Sequence, residues 1–461
     1  MQPITADQIA KAIDGRFMAG SPETVVSSVS INSREIAPGA LFVPIVGERV
    51  DAHQFIPAAL EAGAAATLTQ KALTTAPQCC CIQVKDTKEA LQALARWYRG
   101  QFTLPVVGIT GSVGKSTTKE MVASALSGGK KVLKTAGNYN SQLGLPLMIF
   151  QIENSYDAAV LEMGMSDFGE MARLSAMAKP SRAVVTNIGT SHIGQLGSRE
   201  NIRSEKLHIA DYLGDTGTAF LNGDDDMLAP LRGQLPYRCQ WYGRSPACDW
   251  QARDIQLSGS SISFSACYQS MQERFHVPAV GMHNVYNALA AVAVAWDMGL
   301  SMAQIRAGLA GYQGLSMRQQ IFEAGGIRVI DDSYNSSPDA LKSSLDVLVS
   351  LAGQGRPIAV LADMLELGEI SAQAHEACGR YAARIGVQAL ITVGNQAAHL
   401  ARGAQEENNA LEVHQCANNQ EAFAQLQRIA QSGDIVLVKG SRGMKTDEIV
   451  SAIRQWKGQM D

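Results

Sequence analysis

No run of about 18 uninterrupted apolar residues occurs in the 461-residue chain, which argues against a membrane-spanning helix. The opening MQPITADQIAKAIDG lacks a basic stretch followed by an apolar one, so no export signal is expected. Neither charge is in excess. Lys and Arg number 39 against 43 Asp and Glu, spread along the chain, and a net charge of -4 gives no electrostatic case for nucleic acid or an anionic membrane surface. The 8 cysteines form no two-plus-two zinc spacing. Their only run, Cys79-Cys80-Cys81, precedes Ile82 and Val84 and reads as a reduced, buried strand. Internal repeats and low-complexity tracts are also absent. What remains is the expectation of a cytoplasmic enzyme with no nucleic-acid or membrane partner.

A chain of 461 residues exceeds what one core organises, and length alone suggests about three domains. The first segment alternates short β-rich runs such as Leu41 to Ile45 with an alanine-rich helix over Pro57 to Ala66, as a small α/β domain would. A helix over Thr87 to Arg99 follows. From Val106 to about Gly314 strand and helix alternate, with apolar strands at Ala158 to Glu162 and Ala183 to Asn187. Tyr237 to Val280 changes to β-type runs such as Ser261 to Phe264 and predicts an antiparallel insertion. Beyond Leu315, strands at Ile327 to Ile330, Ile358 to Leu361, Ala389 to Val393 and Ile435 to Val438 predict a second doubly wound unit. The expected fold class is α/β in three parts, with boundaries at 1–84, 85–314 and 315–461.

The most informative segment is TGSVGKST, Thr110 to Thr117, between the apolar run Pro105 to Ile109 and a helix predicted from Lys119. Gly111 and Gly114 allow the backbone to approach phosphate oxygens. Helix-start N–H groups from Ser112, Val113, Ser116 and Thr117 favour an anion, and Lys115 adds positive charge. The Ser116 hydroxyl suits a magnesium ion. Strict phosphate-loop spacing would need glycine at Ile109, so this is a shortened variant. Glu162 ends a strand and offers a hard carboxylate to magnesium at the same sheet edge. His192, in VVTNIGTSH, reaches that edge too, where it could be either structural or a ligand. His283, Asn284 and Asn287, in HNVYN, open an alanine-rich helix running towards Met298. Positions 283 and 287 share a face there, and an asparagine amide matches an adenine edge.

Taken together, TGSVGKST, the Glu162 strand end, the histidine of TSH and HNVYN resemble the Mur ligases of bacterial cell-wall synthesis over nearly the whole chain. Three further segments are similar to those of the family's dipeptide-adding branch: KTAGNYNSQLGLPL (Lys134 to Leu147), EMGMSDFGEM (Glu162 to Met171) and DDSYNSSPDAL (Asp331 to Leu341). The resemblance implies a UDP-substrate domain over 1–84, a central phosphate-loop ATP-binding domain over 85–314, and a Rossmann-like domain over 315–461 that closes on ATP and binds the incoming dipeptide. It implies an ATP-dependent ligase, active as a monomer, joining D-Ala-D-Ala to UDP-MurNAc-tripeptide. Lys115 and Ser116 would then hold the terminal phosphate and one magnesium ion, and Glu162 with His192 a second. Lys206 matches a lysine that the family carries as a carbamate. His283, Asn284 and Asn287 would line the adenine pocket, and Arg318 and Asp332 would reach the phosphates and ribose. Ser33 and Arg34 would meet the uridine-diphosphate end, with Asn138, Asn140, Asn335 and Ser336 near the substrates. Two rivals share these features: a related amide ligase adding a single amino acid or glutamate, and a nucleotide-driven switch. The third residue of the accepted peptide is not legible.

Overall fold

The computed structural model describes residues 1–71 and 79–456. Three separate β-sheets of five, nine and six strands organise the chain, with a short two-stranded ribbon beside the first.

The five-stranded sheet runs in the order Arg16–Ala19, Cys80–Gln83, Ala66–Thr69, Ala40–Phe42, Ser28–Ser30. Cys80 and Cys81 lie in a buried strand as predicted, Cys79 precedes it half-buried, and all eight cysteines are free. The expected helix over Pro57 to Ala66 is shorter, Ile56–Glu61. Gly63, at φ +103°, turns the chain out of the helix. Ala66, the predicted end of the helix, instead opens the fully buried strand Ala66–Thr69, where burial on both faces overrides alanine content.

In the central sheet, Val106–Thr110 lies between Ala158–Glu162 and Arg182–Val185, parallel to both. The chain leaves Val106–Thr110 towards one side of the sheet and returns to the other, which makes the end of this strand a topological switch point, where crevices open in parallel sheets. Alternate residues serve two cores. Val106, Leu161 and Val185 join one apolar cluster, and Val107, Ile109, Val160 and Val184 the other. Covering the second face is the helix Met282–Asp297, whose alanines and valines are buried. The β-rich region before it is no separate insertion. Cys239–Gly243 and the start of Trp250–Leu257 extend the sheet in parallel, and only Ile262–Tyr268 and Met271–Val277 turn antiparallel at its edge. Tight turns at Ser258–Ser261 and at Gln269, φ +53°, force that reversal.

The third sheet orders Gln320–Ala324, Ile327–Asp332, Ile435–Lys439, Pro357–Ala362, Ala389–Val393 and Glu412–Cys416, all parallel except the first. Its strands again alternate between two apolar clusters. Ile330, Leu361 and Leu437 face one layer of helices, and Val329, Val360 and Val438 face the other. That is the doubly wound arrangement predicted. Between the first two sheets sits the helix Thr87–Arg99, found as expected. Tyr98 bridges them: its hydroxyl accepts from the Gln2 N–H (2.8 Å) and donates to the Ile152 carbonyl (2.9 Å).

Candidate active site

The phosphate loop forms where Val106–Thr110 ends. Its helix spans Lys115–Ser127 and so begins four residues before the predicted start, because Gly114, in the left-handed conformation (φ 86°), serves as its N-cap. A Cβ on Gly111 (φ +147°) would lie 1.8 Å from Thr186 Oγ1, so only glycine fits this crossing. Thr186 and Asn187 leave the neighbouring strand to grip the loop. Asn187 Oδ1 accepts from the Val113 N–H at 2.9 Å, and its Nδ2 donates to the Val113 carbonyl at 3.0 Å. Thr186 Oγ1 donates to that carbonyl at 2.5 Å. This explains why the predicted strand over Ala183 to Asn187 stops at Val185.

Lys115 is folded onto its own loop, its Nζ donating to the Gly111 carbonyl at 2.8 Å. Burial pushes its ammonium below the usual lysine range, the Glu162 carboxylate opposes this, and the Arg318 cation adds to it. An anion at the loop would stabilise the charge that burial disfavours. Glu162 pairs with Ile109 across the parallel ladder, so its carboxylate emerges beside the loop. Asn140 Nδ2 donates to Glu162 Oε1 at 2.7 Å, while the buried Oε2 has no hydrogen-bond partner. A buried carboxylate oxygen left open this way is suited to a cation. Ser116, Glu162 and His192 thus supply a hydroxyl, a carboxylate and an imidazole to one cavity, a donor set that fits magnesium together with phosphate oxygens. Among the described residues, His, Cys, Asp and Glu alone form no cluster of three or more suited to a metal.

That cavity, of about 650 Å³, is lined by residues from both larger sheets. Ser112 to Thr117, Asn138, Asn140, Glu162, His192, His283, Asn284, Asn287, Arg318, Asp332, Asn335 and Ser336 all reach it. Gly111, Lys206, Ser33 and Arg34 do not line it. Lys206 is buried, and burial, reinforced by the Lys115 charge, pushes its amine well below the ordinary lysine range. Ser33 and Arg34 sit in a turn of the first unit, where Asn32 Oδ1 accepts from the Arg34 N–H at 3.1 Å.

The asparagines of HNVYN are more occupied than their residue type suggested. Asn287 Oδ1 accepts from Thr118 Oγ1 (3.0 Å), its Nδ2 donates to Asn284 Oδ1 (2.9 Å), and Asn284 Nδ2 donates to the Val280 carbonyl (2.7 Å). Their amides clamp the Met282–Asp297 helix to the helix of the phosphate loop. His283 is half-buried at the cavity wall, and loss of solvent pushes its imidazole below the usual range while the Asp332 charge opposes.

From the third sheet come Arg318 and Asp332. Arg318 stacks 4.0 Å over the Tyr334 ring, between Met317 (φ 59°) and Gln319 (φ 53°), two non-glycine residues held in the left-handed region. Such strain persists where surroundings demand one side-chain direction. Asp332 Oδ2 accepts from Lys439 Nζ at 2.5 Å and from Ser344 Oγ at 2.6 Å, all three groups being buried. Sequence reasoning missed Thr186, Asn187, Tyr334 and Lys439. Lys439 and Asn187 both sit at or just past the carboxyl end of apolar parallel strands, the signal that did find Glu162.

A phosphate loop at a switch point, an open carboxylate beside it, and a Rossmann-like unit closing over both define a three-part nucleotide-dependent α/β protein. Family profiles agree: the Mur ligase middle domain matches residues 109–295, the Mur ligase glutamate ligase domain 317–442, and the Mur ligase family catalytic domain 25–99. A Bacillus subtilis (strain 168) protein named UDP-N-acetylmuramoyl-tripeptide–D-alanyl-D-alanine ligase is 37% identical over 451 residues, 97% of each chain. A crystal structure of MurF from Acinetobacter baumannii superposes with a TM-score of 0.91 at 30% identity, over 99% of each chain. MurF from Thermotoga maritima in complex with ADP gives 0.83 at 27% identity, over 93% of this chain and 97% of that one. The chain belongs to the Mur ligase family.

Proposed function

We propose that this chain joins D-Ala-D-Ala to UDP-N-acetylmuramoyl-tripeptide at the cost of ATP, giving the UDP-MurNAc-pentapeptide precursor of peptidoglycan, ADP and phosphate. One observation carries the reading above all: the phosphate loop and the open Glu162 carboxylate share a cavity with Arg318 and Asp332 of the third sheet. Full-length similarity to the B. subtilis ligase favours the dipeptide-adding reaction over the single-residue ligases, whose phosphate-loop machinery would be the same.

A free carboxylate is a poor electrophile. In the proposed sequence its oxygen attacks the γ-phosphorus of ATP, the bond to the bridging oxygen breaks, and ADP leaves an acyl phosphate behind. The dipeptide amine then attacks the acyl carbon, gives up a proton, and phosphate departs with the former carboxylate oxygen. Lys115 and the loop N–H groups cradle the transferring phosphoryl group, and Arg318 brings a further positive charge from the third sheet. Ser116 would hold one magnesium ion with the terminal phosphates; Glu162 and His192 would hold a second. Magnesium bound there offsets charge as two anions approach.

Lys206 acts in this scheme as a carbamate. Its depressed basicity supports the role, because the neutral amine is the form that attacks carbon dioxide, and the product turns a repelling cation into an anion beside the metal site. His283, Asn284 and Asn287 lie at the adenine end, and Asp332 at the ribose. Ser33 and Arg34 take the uridine-diphosphate end. Asn138, Asn140, Asn335 and Ser336 flank the acceptor. The three parts, 1–84, 85–314 and 315–461, divide these tasks, a division supported by each sheet lying within one of them. We place the enzyme in the cytoplasm as a monomer; among the described residues no helix is long and apolar enough to cross a membrane.

The reading is tested by incubating the protein with ATP, D-Ala-D-Ala and UDP-tripeptides carrying either meso-diaminopimelate or lysine third. Mass spectrometry should find the pentapeptide with at least one of them. Phosphate release that ignores both substrates would favour a nucleotide switch instead.

A further inference from the structure

The segment ADMLELG, Ala362 to Gly368, takes no part in the scheme above, yet it is built with care. Asp363 Oδ1 accepts from the Ala397 N–H at 2.7 Å, the Met364 N–H donates to His375 Nε2 at 2.9 Å, and the Leu365 N–H donates to Ser441 Oγ at 2.9 Å. These bonds fix the loop to the third sheet's unit. They present Glu366 in the left-handed conformation, φ +64°, a conformation that costs a glutamate energy and marks a constrained position. Across the seam stands His192, also at φ +64°.

Glu366 Oε2 lies 2.9 Å from His192 Nδ1. The two atoms are close without being aligned as a hydrogen bond, and the buried His192 Nδ1 has no other partner. A carboxylate at that distance still requires the proton on Nδ1, because two lone pairs would repel. Both side chains line the nucleotide cavity. Beside them the two units meet backbone to backbone: a Cβ on Gly194 would lie 3.1 Å from the Gly368 nitrogen and 3.2 Å from the Glu366 carbonyl oxygen.

We propose that Glu366 is a positioning residue, delivered by the third sheet's unit on closure, that holds the proton of His192 on Nδ1 and so leaves Nε2 free to meet a metal ion. The inference rests on the reading of His192 as a metal-holding residue. Metal-binding histidines depend on such carboxylate partners, whose loss weakens metal binding about 10- to 100-fold. What is particular here is that the partner comes from the opposite unit. Domain closure and completion of the metal site are therefore one event, and an open enzyme holds its second metal ion weakly.

The test uses the full chain with ADP and Mn²⁺, free Mn²⁺ being read by electron paramagnetic resonance. Glu366→Gly removes the carboxylate and suits the left-handed backbone, so misfolding does not confound it. Glu366→Gln keeps an oxygen that can accept the Nδ1 proton. The expected result is that Glu366→Gly weakens the second Mn²⁺ at least about tenfold, that Glu366→Gln restores most of that loss, and that His192→Ala abolishes the site. Wild-type Mn²⁺ binding in Glu366→Gly alongside a lost site in His192→Ala would overturn the proposal alone. Unchanged binding in both variants would instead remove His192 from the metal, and the proposal with it.

Discussion

Asn187 holds Val113 from both sides, accepting from its N–H at 2.9 Å and donating to its carbonyl at 3.0 Å. The tip of the phosphate loop is therefore fixed from the neighbouring strand, before any nucleotide arrives. Asn187→Ala removes both bonds from the half-buried loop tip, each worth about 0.5–1.5 kcal/mol, while Thr186 still donates to the Val113 carbonyl. Nucleotide affinity should fall roughly tenfold or more by calorimetric titration with ADP, with little change in the melting temperature. Unaltered affinity would show that the grip does not shape the loop.

Lys115→Ala removes the only side-chain cation of the loop itself. Loss of one preorganised charge-stabilising group costs about 100- to 1,000-fold in kcat, and the fold, judged by circular dichroism, should be retained. Near-normal turnover would exclude Lys115 from the phosphate.

Lys206 sets a conflict between stability and activity. Because burial depresses its basicity in the fold, the unfolded chain binds more protons between the folded value and the ordinary lysine value. Stability contributed through this residue therefore rises with pH across that window and is lowest beneath it. In buffer free of carbon dioxide at neutral pH, Lys206→Met should melt at a higher temperature than the parent; with bicarbonate supplied, it should turn over at least about 100-fold more slowly than the parent. Lys206→Ala should recover part of its activity with added short carboxylates. A fully active variant would dispose of the carbamate.

Lys439 and Asp332 form a buried pair, Nζ to Oδ2 at 2.5 Å. Removing one member of such a pair costs about 3–5 kcal/mol, so Lys439→Met should lower the melting transition sharply and raise the KM for ATP. Pairing it with Asp332→Asn should restore most of the stability but not the KM. Recovery of both would mean that the pair serves packing alone.

Much of this was legible in the sequence where one physical rule dominates. Short apolar runs with polar ends gave the four inner strands of the third sheet, though not the half-exposed edge strands Gln320–Ala324 and Glu412–Cys416, and the same rule put Glu162 beside the phosphate loop. Local composition failed where tertiary burial decides: the alanines of 62–66 extend the predicted helix to Ala66, whereas the helix stops at Glu61 and Ala66 already opens a buried strand. Contacts between distant segments were beyond reach. Nothing near Asp332 announces Lys439, 107 positions away, and nothing near His192 announces Glu366. The asparagines of HNVYN show the converse, since their residue types suit a base edge while their amides clamp two helices.

The central claim is that the cavity brings a peptide carboxylate to the γ-phosphate of ATP. It is tested most directly with UDP-tripeptide labelled with ¹⁸O in its acceptor carboxyl group, turned over with ATP and D-Ala-D-Ala. Attack by that carboxylate on the γ-phosphorus must leave one labelled oxygen in each phosphate released, and the account predicts that transfer, at one label per pentapeptide formed. Pentapeptide accompanied by unlabelled phosphate, or phosphate formed without pentapeptide, would contradict it.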